Sequence, residues 1–422
     1  MPEDLLQWVR EQFYCLTTDP YTGRERLFFD NSGGSLRLKS AEEAFHKVDS
    51  LPNSYGHGGV TSDYLDSLRV QAVEDMRDLF HAQNGCMVTS MTASIIMFDV
   101  SGYIVENTPG KNIVTTELEH PSAFDACLYA GGKADMEVRV AKTDPRTGQV
   151  PVENILSLID QDTCLLSVML TSNITGAVMD VETVVREARK IKPDLYIVCD
   201  SVQHTPHGIF DLEKVPVDAV NFAAYKFGGC RGLGVGWISE RVMNLPHRKV
   251  LKDPMSNWEL GGCASGMYAC LSAIFDYVLT VGKYFLPEEK DRHSLYLKGM
   301  ETLMLHERAL LHRMLEGSEQ QKGIRAMKGV HVAIEMDHLE NYDLILPLTF
   351  DNLSATEAFL RYEDKGVTVH DRTDRSHYSD RQVHSIGENG ILRVSPFHCH
   401  TYEEIDRFLK ITEEIINEAE KE

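Results

Sequence analysis

An acid and a lysine stand at the ends of two apolar runs, and their chemistry sets the first expectation. The run Tyr196–Cys199 ends in Asp200, with Gln203 and His204 just beyond it. A second run, Ala219–Tyr225, ends in Lys226 and opens into a loop holding Gly228, Gly229, Gly232, Gly234 and Gly236. Such runs predict buried strands, and open α/β sheets place ligands at the carboxyl ends of their strands. A lysine held there is desolvated, sheds its charge at modest cost and forms an imine with a carbonyl. Pyridoxal phosphate needs this pair: a lysine for its aldehyde, and a carboxylate to keep the pyridine nitrogen protonated. Each residue also has a plainer use. A strand-terminal Asp often N-caps a helix, and a strand-terminal Lys often reaches out to solvent.

Further groups lie at similar positions. In ELEHPSAFDAC, His120 follows a strand and offers a flat imidazole to stack on an aromatic ring, or serves as a partly buried surface residue. In MVTSMTASIIMFDV, Ser90, Thr92, Ala93 and Ser94 precede an apolar helix. Hydroxyls and free amides there suit a phosphate, or simply cap the helix. Asn173 follows a buried strand and is placed to donate to a phenolic oxygen. Arg393, between Leu392 and Val394, is expensive to bury without an anion, so it predicts a grip on an α-carboxylate or a structural ion pair. Five histidines fall between 370 and 400, but their irregular spacing implies no three-ligand geometry, and no metal is expected.

These residues require a scaffold. Strand candidates NIVTTELEH, MEVRVA, TCLLSVMLTSN, LYIVCD and AVNFAAY alternate with helical stretches to about residue 245, predicting a largely parallel sheet covered on both faces. Residues 263–286 read as one long helix. The expected organisation is a docking helix over 1–20, a large domain over 21–290 and a small α+β domain over 291–422, with a polar segment at 371–389. The formal charge of −22 argues against nucleic acid or an anionic membrane as partner. Nine scattered cysteines without a CxxC fit a reducing cytoplasm. The acidic, amphipathic start does not read as a signal peptide, and no apolar run approaches the ~18 residues of a membrane span.

Taken together the motifs resemble the class V aminotransferase family of pyridoxal-phosphate enzymes, fold type I. Within it, the cysteine desulfurase and selenocysteine lyase branch is the most similar. FFDNSGG, TSMTAS, ELEHPSAFD, TSNITG, CDSVQHTPH, AAYKFGGCRGLGVGW, WELGG and LRVSPFHCHTYEEIDRF occur in the family's order between Phe28 and about Phe408. The resemblance implies that Lys226 forms the internal aldimine and moves the substrate proton toward and from a quinonoid intermediate. It implies that Asp200 pairs with the pyridine nitrogen, Gln203 and Asn173 contact the ring hydroxyl, and His120 stacks on the ring. Ser90, Thr92 and Ala93 would seat the phosphate with Tyr225 nearby. Arg393, Asn31 and His57 would face the substrate, and the enzyme would be a homodimer.

The chain also departs from the branch. Ser-x-His-Lys becomes Ala223-Ala224-Tyr225-Lys226, and the glutamate–glycine turn continues as Gly262-Cys263 instead of Thr-Pro. Between Thr368 and Asn389 there is no cysteine to accept sulfur; Arg372, Arg375, Arg381, His370 and His377 stand there instead. The expected function is therefore a lyase-type reaction at Cα or Cβ of an amino acid without a persulfide, with Arg372 and Arg375 suiting a second acidic group. Transamination, epimerisation and carbon–carbon bond formation are the other readings, and a non-catalytic relative is disfavoured by the retained Asp200 and Lys226.

Overall fold

A seven-stranded sheet carries the site. The computed structural model describes residues 1–52 and 55–421. Across the sheet the strands are Cys86–Ser90, Gly234–Ile238, Ala219–Ala223, Tyr196–Asp200, Thr163–Met169, Asn112–Thr116 and Glu137–Ala141. Gly234–Ile238 is antiparallel to both neighbours, and the other strands run in one direction. Four of them, at 112–116, 163–169, 219–223 and 234–238, are buried along their whole length. That is why the sequence shows unbroken apolar runs there and not alternation. Asp200, the turn after Thr116, the segment after Met169 and the lysine loop after Ala223 all leave the same edge.

Four further strands form an antiparallel sheet in the order His370–Thr373, Gly390–Val394, Leu346–Phe350 and Val330–Val332. Helix Arg292–Glu316 leads into it, and helices Ala355–Asp364 and Tyr402–Ala419 each start with a reciprocal capping box, at Ser354/Glu357 and Thr401/Glu404. Leu27–Phe28 pairs with Val367–Thr368 in parallel, and Asp30 bridges Ser395. The start of the chain is thus hydrogen-bonded to its end.

Several expectations are corrected. The first helix covers Glu3–Glu11, not residues 1–20, because a polar turn follows in which Asp19 Oδ1 accepts from the amides of Tyr21 and Thr22. It is held by Trp8 stacked on Tyr277 and by Arg10 paired with Glu404 at 2.7 Å. A helix at Lys39–Asp49 was not anticipated. The polar segment holds strand His370–Thr373 and helix Asp380–Ser385. Helix Ser265–Phe285 is long and apolar enough to cross a bilayer, contrary to the reading of its sequence, but 72% of its most apolar stretch is buried inside the fold. It is packed against helices Lys39–Asp49, Val60–Phe80 and Arg292–Glu316, so its apolar surface is spent on protein.

Candidate active site

At the carboxyl edge of the sheet lies a cavity of about 750 Å³. Its wall includes Thr92, Ala93, His120, Asn173, Asp200, Gln203, Tyr225, Lys226, Arg372 and Arg393, which the sequence had singled out.

The 3-10 turn Ala224–Lys226, directly after strand Ala219–Ala223, delivers the lysine. Lys226 Nζ donates to the carbonyl of Ser32. Burial, with Arg393 and further guanidiniums nearby, brings its ammonium down to about 7. The side chain still keeps part of its surface open to the cavity. Asp200 Oδ1 accepts from Val202 N at 2.9 Å, and burial pushes the carboxyl up to about 6 against the pull of Lys226. Behind it, fully buried Glu119 Oε1 accepts from Thr116 Oγ1 and Met169 N, each at 2.9 Å. Burial and then the Asp200 charge raise Glu119 to about 8, so it is mostly a neutral acid at pH 7.

His120 caps helix Pro121–Ala134, its Nδ1 accepting from Ser122 N at 3.2 Å with Ser122 Oγ at 2.7 Å. These contacts assign the proton to Nε2. Burial, then Lys226, lowers the imidazole to about 4, and the ring is neutral. Tyr378 lies beside it, ring centres 6.2 Å apart.

Helix Ala93–Asn107 points its amino end into the cavity, with Thr92 Oγ1 accepting from Ile95 N at 3.2 Å. A side chain at Gly234 would strike the backbone at Thr92 and Ala93, so only glycine lets this strand lie against the helix start. The amides left free there suit an anion.

Arg393 is 2% exposed. Its Nη2 pairs with Asp30 Oδ1 at 2.7 Å and its Nη1 donates to Asn173 O at 2.9 Å. Two of the five guanidinium hydrogens are spent, and the ion pair fixes the orientation of the rest. The structural pair and the carboxylate grip foreseen for this residue are therefore compatible. Arg372 Nη2 donates to Tyr378 O at 3.0 Å, and burial beside Arg393 lowers it to about 10.

Four residues are not brought to this wall. Ser90 lines a neighbouring cavity of about 410 Å³. The Asn31 side chain is consumed by the carbonyls of Phe28 and Ser395 and by Leu36 N. His57 is on an exposed loop, and Arg375 is an exposed turn residue. Arg381 also serves structure: it donates to the carbonyls of Glu117 and Glu119 and lies 3.8 Å over the Phe124 ring. With Gln382 on Leu118 O at 2.6 Å, it docks segment 371–389 onto the site.

Sequence reasoning missed Glu119, Asp30, Tyr378 and Arg231. Arg231 is exposed on the cavity wall, its guanidinium 4.4 Å from the Tyr225 ring centre. Among the described residues it has no hydrogen-bond or ion-pair partner. The absence of a side chain on Gly34 makes room for it, since a Cβ there would meet Arg231 Nη2 at 2.7 Å. Its place in the glycine loop five residues after Lys226 was the available signal.

The profile of Aminotransferase class-V matches residues 27–263, more than half of the chain. The chain belongs to this family. A cysteine desulfurase of Methanosarcina thermophila is 23% identical, over 95% of this chain and 95% of its own. A probable cysteine desulfurase of Mycoplasma genitalium is 24% identical over 51% of this chain, and the match spans only 53% of that relative. The apo structure of a cysteine desulfurase from Thermococcus onnurineus NA1 superposes with a TM-score of 0.80 at 19% identity, covering 97% of this chain and 98% of that one. The fold is thus fold type I. The enzyme is pyridoxal-phosphate-dependent, as the family is. The residues present fit that cofactor: Gln203 Oε1 is buried without a partner, and helix-start amides, an acid and a lysine converge on one cavity.

Proposed function

We propose that this enzyme cleaves a bond at Cα or Cβ of an amino acid carrying a second acidic group, without passing sulfur through a persulfide. The observation that carries the reading is the composition of the cavity wall. It combines a lysine poised near neutrality with three guanidiniums, those of Arg231, Arg372 and Arg393, and, among the described residues, no thiol.

Bound pyridoxal phosphate supplies the electron sink for breaking bonds at the substrate. Helix-start amides near Thr92 and Ala93 would hold its phosphate, Gln203 and Asn173 its ring oxygen, and Asp200 its ring nitrogen. Asn173 Oδ1 already accepts from Gln382 Nε2 at 2.8 Å, so its amide hydrogens would be the part left to meet the ligand. The neutral His120 ring would cover one face and keep water from it. Arg393 would orient the substrate by its α-carboxylate. Lys226 Nζ, able to exist in both protonation states near pH 7, would take a proton from the substrate and return one. Arg231, with no internal partner, and Arg372 would take the second acid.

A homodimer is part of the reading. Met91 is 73% exposed beside the cavity mouth and Leu251 94%, with Val250 and Leu260 also exposed. Apolar surface of this kind is normally covered by another subunit.

The test is a screen of amino acids, neutral and acidic, with the yellow holoenzyme, measuring products and absorbance together. Lyase action predicts catalytic release of a fragment from an acidic amino acid. A stoichiometric keto acid, with turnover only when a second keto acid is added, would mean transamination. Loss of the yellow colour in Lys226→Ala checks the lysine's role separately.

A further inference from the structure

Far from Lys226 in sequence, three residues of metal-binding type converge. His81 ends helix Val60–Phe80 in the left-handed conformation, φ 51°. His293 is the second residue of helix Arg292–Glu316. Asp211 lies in the loop that follows the Asp200 segment. One ligand-type atom from each lies within 4.8 Å of the others. The two imidazoles are stacked, with centres 3.9 Å apart and planes 16° from parallel.

His293 Nδ1 is 2.7 Å from the carbonyl of Asp78, which accepts its proton and leaves the lone pair on Nε2. Histidines that bind metals commonly donate their second nitrogen to a carbonyl in this way. His81 Nδ1 is 3.0 Å from Asp211 Oδ1 and 3.3 Å from Glu213 Oε2. Asp211 Oδ1 also accepts from Glu213 N at 2.9 Å, and its other oxygen is 3.5 Å from Lys214 Nζ. Two donors on one tetrahedral zinc ion sit about 3.4 Å apart with the ion in the plane of each ring, so the two imidazoles must turn out of their stack to share it. Two imidazoles with a carboxylate form a donor set preferred by zinc and its first-row neighbours over magnesium or calcium.

We propose that His81, Asp211 and His293 bind one divalent transition-metal ion of the zinc type. The ion would clamp the end of one long helix to the start of another, on residues that do not line the cofactor cavity. An ordinary histidine–carboxylate ion pair with a stacked neighbour is the competing account, and the two differ in what they hold.

The experiment uses chelator-treated holoenzyme, with zinc and then cobalt(II) as probes. Equilibrium dialysis against zinc should give one more ion per parent chain than per chain of His81→Ala or His293→Ala. Asp211→Asn should weaken the site ~10-fold or more. Cobalt should give visible bands without the intense near-ultraviolet absorption of cobalt–thiolate bonds, which separates this site from the nine cysteines. Zinc should also raise the melting temperature of the parent and not of the variants. If an alanine variant fails to fold, His293→Gln and Asp211→Asn decide. Equal zinc content in parent and folded variants, or a thiolate spectrum, overturns the proposal.

Discussion

Replacing Lys226 by methionine should stabilise the apoenzyme, and by an amount that depends on pH. The amine titrates at about 7 in the fold against an ordinary value of 10.5. The unfolded chain therefore holds the extra proton between these values, and native stability rises with pH across that window. Below pH 7 the penalty is complete; by pH 10.5 it has gone. Below pH 7 the gap corresponds to about 5 kcal/mol at 1.36 kcal/mol per unit. Part of the side chain faces the open cavity, so roughly half, ~2 kcal/mol, is the expected gain. With an unfolding entropy of ~2.1 cal/mol/K per residue, that shifts the melting temperature of so long a chain by about 2 °C. Differential scanning fluorimetry of both apoenzymes from pH 6 to 10 measures it. The gain should be level below pH 7 and shrink toward pH 10. A methionine variant that melts lower than the parent at pH 7, or a gain that persists at pH 10, refutes the argument.

Four further outcomes are expected. Arg231→Ala and Arg372→Ala should each raise KM for an acidic amino acid ~10- to 100-fold, at 1.5–3 kcal/mol per charged hydrogen bond, while neutral amino acids change little. Glu119→Gln should leave steady-state activity at pH 7 nearly unchanged, because Gln mimics the neutral acid that burial and Asp200 maintain up to about 8. Its stability advantage over the parent should grow from about pH 4.5 to about 8 and then level off, because across that window the unfolded parent sheds a proton that the fold retains. Asp30→Asn, which removes the charge facing Arg393 at 2.7 Å, should destabilise the fold by ~2 kcal/mol, seen as a lower thermal midpoint. Leu251→Asp should shift the oligomer toward monomer in sedimentation experiments if the exposed apolar surface is an interface.

Lys226 and Asp200 were legible as cavity residues because a largely apolar run from a strand buried along nearly its whole length leads to each. The largely parallel character of the sheet followed from the alternation of strands and helices; the order of its strands did not. What stayed hidden depends on contacts between distant segments. Asn31 reads as a free polar residue in a glycine turn, yet the carbonyl of Ser395 claims it. Arg375 and Arg381 look alike in a polar stretch, and only docking on the Glu117–Glu119 turn distinguishes them. Helix Ser265–Phe285 was judged by the length of its apolar run, whereas its neighbours determine what that surface meets.

The pairing of the chain's start with its end has a consequence for the order of events during synthesis. The Arg393–Asp30 ion pair spans 363 positions, and Asn31 and Ser395 are tied across 364. Asp200, Lys226 and the seven-stranded sheet leave the ribosome long before Arg393 does. Contacts of such separation are the slowest to form, since the loop between them must close first. A nascent chain would therefore possess its lysine and acid, in a sheet able to assemble, well before it had the guanidinium expected to hold a substrate. A chain cut short before Arg393 would lack the partner of Asp30 however well its sheet had folded.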